Sequence, residues 1–374
     1  MLSGTHGDGV YQSIDNGNTW KKLGSGNNLD SFSNANIFSI LKIGKIIIAG
    51  TCSFGVYRSA DNGLTWKRIR NGLPVGQDDF LCVNSLAQTS TNILAGTDRG
   101  LYFSADLGLT WKSTNISGAG FNVNGVAANG AVACAAVTHF TGFNNVYRST
   151  NNGVTWTSVL SLIEDWTCMA SDKSNNFYAG TFGGGFRSTD NGVTWTGFGA
   201  GFPAGTASLG IGVKGTNVFV GTEDGVYFSN NNGASFTNQS TGLDQGLNGA
   251  VQGFGFSSTQ VFAGTFRNAV WKRSLADFGI TSSFSLIKGN INFYITPDPV
   301  VHQGRLSYLV EKPSAVGIYL YNASGNYIKT LEKANKQPGN YQVIINGEDL
   351  MSGTYFASIV MDDRHGALKF VVMK

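Results

Sequence analysis

Short apolar runs separated by polar, glycine-rich turns recur throughout residues 1–280. Residues 37–43, 45–51, 55–59 and 65–69 form one such set, and each run is only five to seven residues long. Runs of this length, bounded by glycine, asparagine and aspartate, are typical of β-strands joined by tight turns. We therefore predict four successive strands in residues 37–69, and name them a, b, c and d.

The turn between strands c and d is a repeated motif. Residues 59–66 read SADNGLTW, and similar octapeptides begin at Ser13, Ser104, Ser149, Ser188 and Ser229. The corresponding tryptophans lie at positions 20, 66, 111, 156 and 195, so successive copies are 39 to 46 residues apart. A repeat of ~40–50 residues that is built of short strands predicts the blades of a β-propeller.

A Gly-Thr pair followed by a Gly-x-Tyr strand marks each predicted blade. Seven such signatures occur, at residues 4–13, 49–59, 95–104, 135–149, 179–188, 220–229 and 263–274. The fourth signature is degenerate and reads Ala135-Ala136-Val137. The seven signatures predict seven blades. The first blade lacks strand a and the last lacks strand d, so six or eight blades are left open.

Composition fits a chain of short strands and excludes one class of partner. Glycine makes up 51 of 374 residues, about twice the usual ~7%. The net charge is only +3 without a lysine or arginine run, which argues against nucleic-acid binding. No stretch reaches the ~18 apolar residues of a transmembrane segment.

The four cysteines do not have the spacing of a zinc site. Cys52, Cys82, Cys134 and Cys168 form no C-x-x-C pair, and Cys82 and Cys168 lie in apolar runs. We expect these two to be buried free thiols that pack as small hydrophobic side chains. We predict no metal ion and no cofactor.

The aspartate of the repeat has a simple role in the turn. The Asp61 side chain can accept backbone N–H bonds, Gly63 supplies the positive φ, and Trp66 packs at the seam between blades. One such residue per blade cannot converge on a single substrate, so we predict a structural role. The positions are Asp15, Asp61, Asp106, Asn151, Asp190 and Asn231. Arg58, Arg148 and Arg187 also share one register of strand c and are predicted to be structural.

The pattern S-x-D-x-G-x-T-W resembles the Asp-box, or BNR, repeat of sialidase-like and sortilin-like propellers. The resemblance covers residues 1–280 and implies an all-β propeller, with the aspartate in a structural turn. A sialidase would also need three arginines for the substrate carboxylate and a tyrosine–glutamate pair. This chain offers few arginines on the relevant face and has no Arg-Ile-Pro segment, so it departs from the sialidase pattern.

Candidate ligand residues lie in the b–c and d–a connections, which share the propeller face opposite the c–d turns. The residues that differ between blades there are Asp98, Arg99, His139, Trp166, Phe182, Glu223, Asp224 and Arg267. Acids, aromatic rings and two arginines suit a glycan held by stacking and hydrogen bonds. A solvated rim without a ligand is the alternative.

A hydrolase is the competing function. An inverting glycoside hydrolase needs two carboxylates ~6.5–9.5 Å apart across a cleft. The candidates for these carboxylates are Asp79, Glu164 and Asp165. No spacing along the chain shows that any two of them face each other.

The composition changes after residue 281, where the repeats stop. Residues 304–310, 316–322, 341–345, 354–361 and 368–374 read as strands of an Ig-like sandwich of ~80 residues. The tail, residues 290–374, also contains Pro297, Pro299, Gly325, Gly353, Tyr355 and Lys374. At these positions it resembles the type A C-terminal sorting domain of type IX secretion cargo in the Bacteroidetes, with Asp298 where the family has asparagine.

The resemblance of the tail implies transport across the outer membrane by the type IX machinery, with residues 290–374 as the recognition signal. We therefore expect a secreted or surface-displayed protein. Such cargo needs an N-terminal export signal, and Met1 leads directly into a repeat signature. The expectation is that the sequence is truncated at its start.

Three functions remain. A non-catalytic binding or scaffolding module with a glycan or protein ligand is preferred. The alternative is a sialidase-like or xyloglucanase-like glycoside hydrolase. A third is an assembly factor of the photosystem II type, whose propeller resembles this one, but the sorting tail argues against it.

Overall fold

The computed structural model contains almost only β-strands. It describes the chain except residues 25–31, 33, 75–79, 119, 173, 242, 244–248, 258–259, 267–269, 279, 281–290, 292, 297–299, 323–325, 363 and 374. The chain divides into two compact units. The first comprises Met1–Ser257 and Val261–Lys272, and the second comprises Ser258–Gln260 and Arg273–Lys374.

Seven antiparallel sheets follow one another in the described part of residues 2–274. Sheet 1 contains β1 (Leu2–Gly4), β2 (Val10–Gln12) and β3 (Lys21–Lys22). Sheet 2 contains β4 (Asn36–Ile43), β5 (Ile46–Cys52), β6 (Gly55–Ser59) and β7 (Lys67–Ile69). Sheet 3 contains β8 (Val83–Gln88), β9 (Ile93–Thr97), β10 (Gly100–Ser104) and β11 (Lys112–Ser117).

The remaining sheets repeat this order. Sheet 4 contains β12 (Phe121–Asn129), β13 (Val132–His139), β14 (Asn144–Ser149) and β15 (Thr157–Leu162). Sheet 5 contains β16 (Trp166–Ser171), β17 (Phe177–Thr181), β18 (Gly184–Ser188) and β19 (Thr196–Gly197). Sheet 6 contains β20 (Gly210–Lys214), β21 (Asn217–Thr222), β22 (Gly225–Ser229) and β23 (Thr237–Asn238). Sheet 7 contains β24 (Val251–Phe256), β25 (Gln260–Thr265) and β26 (Val270–Ser274).

Each four-stranded sheet is an up-and-down meander in chain order, so its strands are a, b, c and d in turn. Among the described residues, sheet 1 has no strand a and sheet 7 has no strand d. Because consecutive strands are antiparallel, the b–c and d–a connections lie at one end of every sheet. The a–b and c–d turns lie at the other end.

Apolar side chains fill the seams between consecutive sheets. The first seam joins Val10 and Leu23 of sheet 1 to Ile47, Tyr57 and Trp66 of sheet 2. The later seams contain Trp111, Trp156, Trp195 and Phe236 in turn. The repeated aromatic residue at the start of strand d therefore belongs to the core between sheets.

In sheets 3, 4 and 5 the glycine of the c–d turn lies close to strand b of the preceding sheet. A Cβ on Gly108 would lie 2.7 Å from Ile48, and one on Gly153 would lie 2.3 Å from Leu94. Gly192 approaches Cys134 of sheet 4 in the same register, two residues before the Gly-Thr position. Only a residue without a side chain fits at this contact.

Hydrogen bonds from strand c also tie sheets 2, 4 and 5 to the sheet that follows each of them. The bonds are Arg58 Nε to Leu107 O (2.8 Å), Arg148 Nε to Asn191 O (2.8 Å) and Arg187 Nη1 to Asn232 O (2.9 Å). In sheet 3, where Phe103 occupies this register, Nδ2 of Asn92, the residue before strand b, donates to Asn152 O at 3.0 Å. The arginines thus stabilise the interfaces between sheets.

A β-bulge interrupts strand a in five of the sheets in the described chain. Its extra residue is Phe38, Asn84, Asn124, Thr167 or Gln252. Asn84 Nδ2 donates to Val123 O at 3.2 Å and Asn124 Nδ2 donates to Trp166 O at 2.8 Å, in each case in the next sheet. The bulges therefore add polar links between the innermost strands.

The second unit contains two antiparallel sheets around one core. One sheet has the order β27 (Phe293–Thr296), β28 (Gln303–Val310), β31 (Gly339–Asn346). The other has the order β30 (Tyr327–Lys336), β29 (Ser314–Asn322), β32 (Gly353–Met361), β33 (Arg364–Val372). Leu306 and Ile345 from the first sheet meet Ile318, Ile359 and Phe370 from the second. Strands β27 and β30 were missed by the sequence pattern.

Two short 3-10 helices complete the described elements. They are Leu275–Phe278, after β26, and Gly347–Asp349, after β31. The Asn346 side chain accepts a hydrogen bond from the Glu348 N–H and so caps the second of them.

Candidate ligand-binding face

The six repeat turns have nearly identical hydrogen bonds. In each, the serine hydroxyl donates to the aspartate or asparagine oxygen at 2.7–2.9 Å. The glycine N–H donates to the serine hydroxyl at 2.8–3.0 Å. The residue six positions after the serine also contributes its N–H. In sheet 2 this residue is Thr65, whose N–H donates to the Asp61 carboxylate at 2.9 Å.

These turn carboxylates are fully used by their own turn. The Thr65 hydroxyl and N–H, together with the Ser59 hydroxyl, lower the pKa of Asp61 from about 3.8 to about 2. Where Asn151 stands, its Oδ1 accepts from Thr155 N and its Nδ2 donates to Thr155 Oγ1. The turn therefore tolerates an amide, and it lies at the opposite end of the sheet from the b–c connections.

Two consecutive residues in each turn have positive φ, whereas the sequence indicated only the glycine. Asn62 and Gly63 have φ of 60° and 89°. In sheet 3 the first of these positions holds Leu107, with φ of 57°. Leucine is poorly suited to this region of backbone space, unlike asparagine.

On the opposite face, Asp98 and Arg99 hold the connection between sheets 2 and 3. Asp98 Oδ1 accepts from Cys82 N at 3.1 Å, and Arg99 Nη1 donates to Pro74 O at 3.2 Å. Cys82 forms a disulfide with Cys52, so the expectation that Cys82 is a free thiol is wrong. The strands bring Cys52, at the end of β5, beside the residue that precedes β8, which is a pairing that sequence spacing does not reveal.

Trp166 was predicted to lie on the ligand face, and this prediction is wrong. Trp166 is the first residue of β16, is only 1% exposed, and packs edge-on against Phe186 within the seam of sheets 4 and 5. Because Trp166 follows Glu164 and Asp165, the sequence indicated that it lies in the d–a connection. Its ring instead packs in the core, as the other aromatic rings of the seams do.

The b–c connection of sheet 4 carries exposed aromatic rings. His139 lies between the rings of Phe121 and Phe140, with centroids 4.7 Å from each. Its Nδ1 is 2.7 Å from Thr141 Oγ1. Phe140 and Phe143 are 79% and 69% exposed, so this connection presents apolar surface to solvent.

Asn144 joins this connection to the segment between sheets 4 and 5. Its side chain is buried, and Oδ1 accepts from His139 N at 2.9 Å. Its Nδ2 lies 2.8 Å from Asp165 Oδ1 and within 3.2 Å of the carbonyls of Ile163 and Glu164. One amide therefore fixes two connections relative to each other.

Thr181 adds the b–c connection of sheet 5 to this group. In sheets 2, 3 and 6 the Thr of the Gly-Thr pair donates to a backbone carbonyl of its own hairpin. Thr181 Oγ1 instead donates to Glu164 Oε2 at 3.0 Å. Phe182 N donates to Asp165 O at 3.4 Å, as Asp98 N does to Cys82 O in sheet 3. The repeat thus departs from its own pattern at this place.

These linked connections carry a group of exposed residues, here called the sheet 4–5 patch. It comprises Phe140, Phe143, Ile163, Glu164, Asp165 and Phe182, all of them exposed. Ile163 is 91% exposed, and Phe182 is 57% exposed. Exposed apolar groups gathered at one place mark interaction sites more often than scattered ones do.

The structure brings together only part of the predicted face. His139, Glu164, Asp165 and Phe182 meet in or beside the patch. Glu223 and Asp224 are exposed in the b–c turn of sheet 6. Asp79 and Arg267 lie outside the described residues, as do Pro297, Pro299, Gly325 and Lys374 of the tail.

Sequence reasoning missed Phe140, Phe143, Ile163 and the buried Asn144. The one signal that pointed to them was the degenerate fourth signature, Ala135-Ala136-Val137, with its longer b–c connection. A repeat that keeps its core but alters one connection indicates a local function there.

The described residues contain no group of three or more histidine, cysteine, aspartate or glutamate residues placed to hold a metal ion. They also contain no helix long and apolar enough to cross a membrane.

Comparison with known proteins identifies the fold. No protein-family model and no curated protein sequence matches this chain. The BT4673 extracellular domain of B. thetaiotaomicron is similar in structure, with a TM-score of 0.57 and 13% identity. The match covers 83% of this chain and 42% of that one.

Two structures of YCF48 are also similar. The protein from Cyanidioschyzon merolae matches with a TM-score of 0.56 and 14% identity, over 73% of this chain and 90% of that one. YCF48 bound to D1 peptide matches with a TM-score of 0.52 and 15% identity, over 73% and 88%. At these identities the likeness concerns architecture alone, and it shows that this all-β chain has the fold of a β-propeller.

Proposed function

We propose that this chain is a secreted or surface-displayed propeller that binds a glycan or protein ligand without catalysis. The observation that carries the proposal is the sheet 4–5 patch. It presents Phe140, Phe143, Ile163 and Phe182 to solvent at the place where the repeat departs from its pattern. Solvent-exposed aromatic groups on a rigid framework are typical of binding sites.

The hydrogen bonds of the two carboxylates favour binding over hydrolysis. Glu164 accepts from Thr181 and Asp165 accepts from Asn144, so each holds the framework of the patch. These residues are neighbours in the chain, whereas an inverting hydrolase needs two carboxylates facing each other across a cleft. The other carboxylate that the sequence offers for such a pair, Asp79, lies outside the described residues.

The proposed location outside the cell has two supports. The Cys52–Cys82 disulfide is a bond that persists in oxidising compartments. The sequence of residues 290–374 resembles a type IX sorting domain, and Tyr355 of that motif is buried, with its hydroxyl donating to Met351 O at 2.9 Å. Export by the type IX machinery through this tail is part of the proposal.

The test of function uses the full chain on a glycan array, on immobilised peptides and in parallel hydrolysis assays. The proposal is supported if the chain binds a ligand without turnover and Phe140→Ser loses this binding. Leu64→Ser, in the c–d turn of sheet 2 on the opposite face, should keep it. Hydrolysis that is lost in Glu164→Gln contradicts it and favours the glycoside hydrolase.

The test of export uses the full chain behind an added N-terminal signal, in a host with type IX secretion. Removal of residues 290–374 should leave the protein in the periplasm. Equal secretion of the shortened chain would refute this part of the proposal.

A further inference from the structure

The charge of the sheet 4–5 patch is opposite in sign to the charge of the whole chain. The chain has 26 lysines and arginines against 23 acids, which gives a formal charge of +3. The segments that form and adjoin the patch are residues 139–145, 163–166, 181–184 and 198–209, all of them described. Their only aspartate, glutamate, lysine or arginine residues are Glu164 and Asp165.

The apolar part of the patch offers no hydrogen-bonding groups of its own. Phe140, Phe143, Phe182 and Ile163 have side chains of carbon and hydrogen alone, and each is at least 57% exposed. A hydroxyl-rich ligand needs several donors and acceptors placed around an aromatic face. Here the exposed side chains offer carbon surface beside carboxylate oxygens. This combination suits a ligand with apolar groups better than a hydroxyl-rich one.

The framework beneath the patch is already ordered. Asn144 holds the connections that carry Phe143 and Ile163, and Thr181 holds Glu164 beside Phe182. Gly205 N donates to Gly183 O at 3.1 Å, which adds the uncharged connection between sheets 5 and 6. Because these segments are fixed before binding, a ligand loses less free energy to ordering the site.

We infer that the ligand of this patch is a polypeptide segment in which large apolar side chains alternate with lysine or arginine. This inference rests on the binding function proposed above and names its ligand class. Apolar anchors would pack against Phe140, Phe143, Ile163 and Phe182, as at the centres of protein interfaces. A cationic side chain would pair with Glu164 or Asp165, or lie over a phenylalanine ring. Acidic glycans are disfavoured by the same two carboxylates.

The test is selection of random dodecapeptides displayed on phage against the full chain, followed by fluorescence anisotropy with the enriched peptides as labelled probes. We expect enriched sequences that combine lysine or arginine with leucine, phenylalanine or tryptophan. Phe140→Ser or Phe182→Ser should weaken binding of these peptides tenfold or more. Leu64→Ser, which removes an exposed apolar side chain from a c–d turn, is the matched control and should have no effect.

The charge is tested separately. Glu164→Gln combined with Asp165→Asn keeps oxygen acceptors for Thr181 and Asn144 but removes both charges. This variant should bind the peptides more weakly and with a smaller dependence on salt. Unchanged affinity and salt dependence would overturn the inference, as would enrichment of peptides without a basic residue.

The two levels of the proposal fail in different ways. If the full chain binds a neutral glycan through Phe140 and Phe182 but enriches no peptide, the inference about the ligand is wrong and the binding function stands. If neither peptides nor glycans bind at these residues, both are wrong. Circular dichroism of each variant establishes that a loss of binding is not a loss of folding.

Discussion

Gly17 in the first sheet lies directly against the ring of Phe262 in the seventh, where a Cβ would be only 2.4 Å from Cε1 of Phe262. Phe262 occupies the strand-b register that Ile48 and Leu94 occupy opposite Gly108 and Gly153. The first and last sheets therefore meet through the contact that joins other neighbours. Lys272 Nζ adds a hydrogen bond to Asn18 Oδ1 at 2.5 Å.

We expect Gly17→Ala to lower the free energy of unfolding by about 2–4 kcal/mol, since it combines a clash with a positive φ of 77°. Urea unfolding followed by tryptophan fluorescence measures this. Gly44→Ala is the control, because Gly44 has a φ of 59° and no atom within 4 Å of the added Cβ. It should cost only about 1–2 kcal/mol. Equal effects would show that this contact contributes little to stability.

Leu107 has a φ of 57° in a turn position where the other repeats have asparagine. We expect Leu107→Asn to raise the free energy of unfolding by about 0.5–1 kcal/mol, because asparagine tolerates this conformation better. Its carbonyl should still accept the Arg58 bond. Leu109→Asn is the matched control, with 47% exposure against 43% for Leu107, and thermal unfolding should show no gain for it.

The turn aspartates predict loss of stability in acid. Hydrogen bonds hold the pKa of Asp15, Asp61, Asp106 and Asp190 at about 2, below the usual value near 3.8. Their contribution is therefore complete above about pH 4 and is lost as the pH falls through about 2. We expect Asp61→Asn to flatten this part of the stability profile measured by urea unfolding at each pH. An unchanged profile would contradict the assignment.

Asn144 should be essential to the shape of the patch. Asn144→Ala leaves the carbonyls of Ile163 and Glu164 and the His139 N–H without this partner, at a cost of about 1–3 kcal/mol. We expect faster hydrogen exchange in residues 139–144 and 163–165 and weaker peptide binding. Asn145→Ala is the control. Asn145 Nδ2 donates to Phe143 O at 3.2 Å and its Oδ1 accepts from Ser158 Oγ at 3.0 Å, so its loss should leave residues 163–165 protected.

The disulfide predicts a thiol count. Without reductant, the denatured protein should titrate two thiols, Cys134 and Cys168, and four after reduction. Burial raises the pKa of Cys134 to about 12, so the native protein should alkylate slowly there. The bond closes 30 residues, and Cys52→Ser with Cys82→Ser should cost about 2–4 kcal/mol. Four thiols without reductant would rule out the bond.

The central strands could be predicted from sequence more closely than the outer ones. Strand β6 has the predicted bounds, Gly55–Ser59, because apolar alternation and the preceding Gly-Thr pair define both ends. Strand d was predicted to begin at Thr65 but β7 begins at Lys67. The Thr65 N–H is already bonded to Asp61, so it cannot join the ladder.

Exposure and pairing across the chain were harder to predict. Strand β30 was missed because it is a sheet edge rich in lysine, and its polar pattern resembles a loop. The Cys52–Cys82 bond depends on two sheets meeting, and an apolar residue in a connection, such as Phe140, reads equally as core or as surface. The hydrogen bonds of Asn144 depend on three segments that are distant in sequence.

The links made by the strand-c arginines and the bulge asparagines run in one direction around the propeller, from a side chain on one sheet to a main-chain oxygen on the next. The accepting sheet supplies a carbonyl that every amino acid possesses. The accepting sheet can therefore accumulate substitutions and still accept the hydrogen bond from its neighbour. In such an architecture the side chains of one sheet can change in sequence while the hydrogen bonds between sheets persist. One pair of sheets can therefore specialise while the others remain alike.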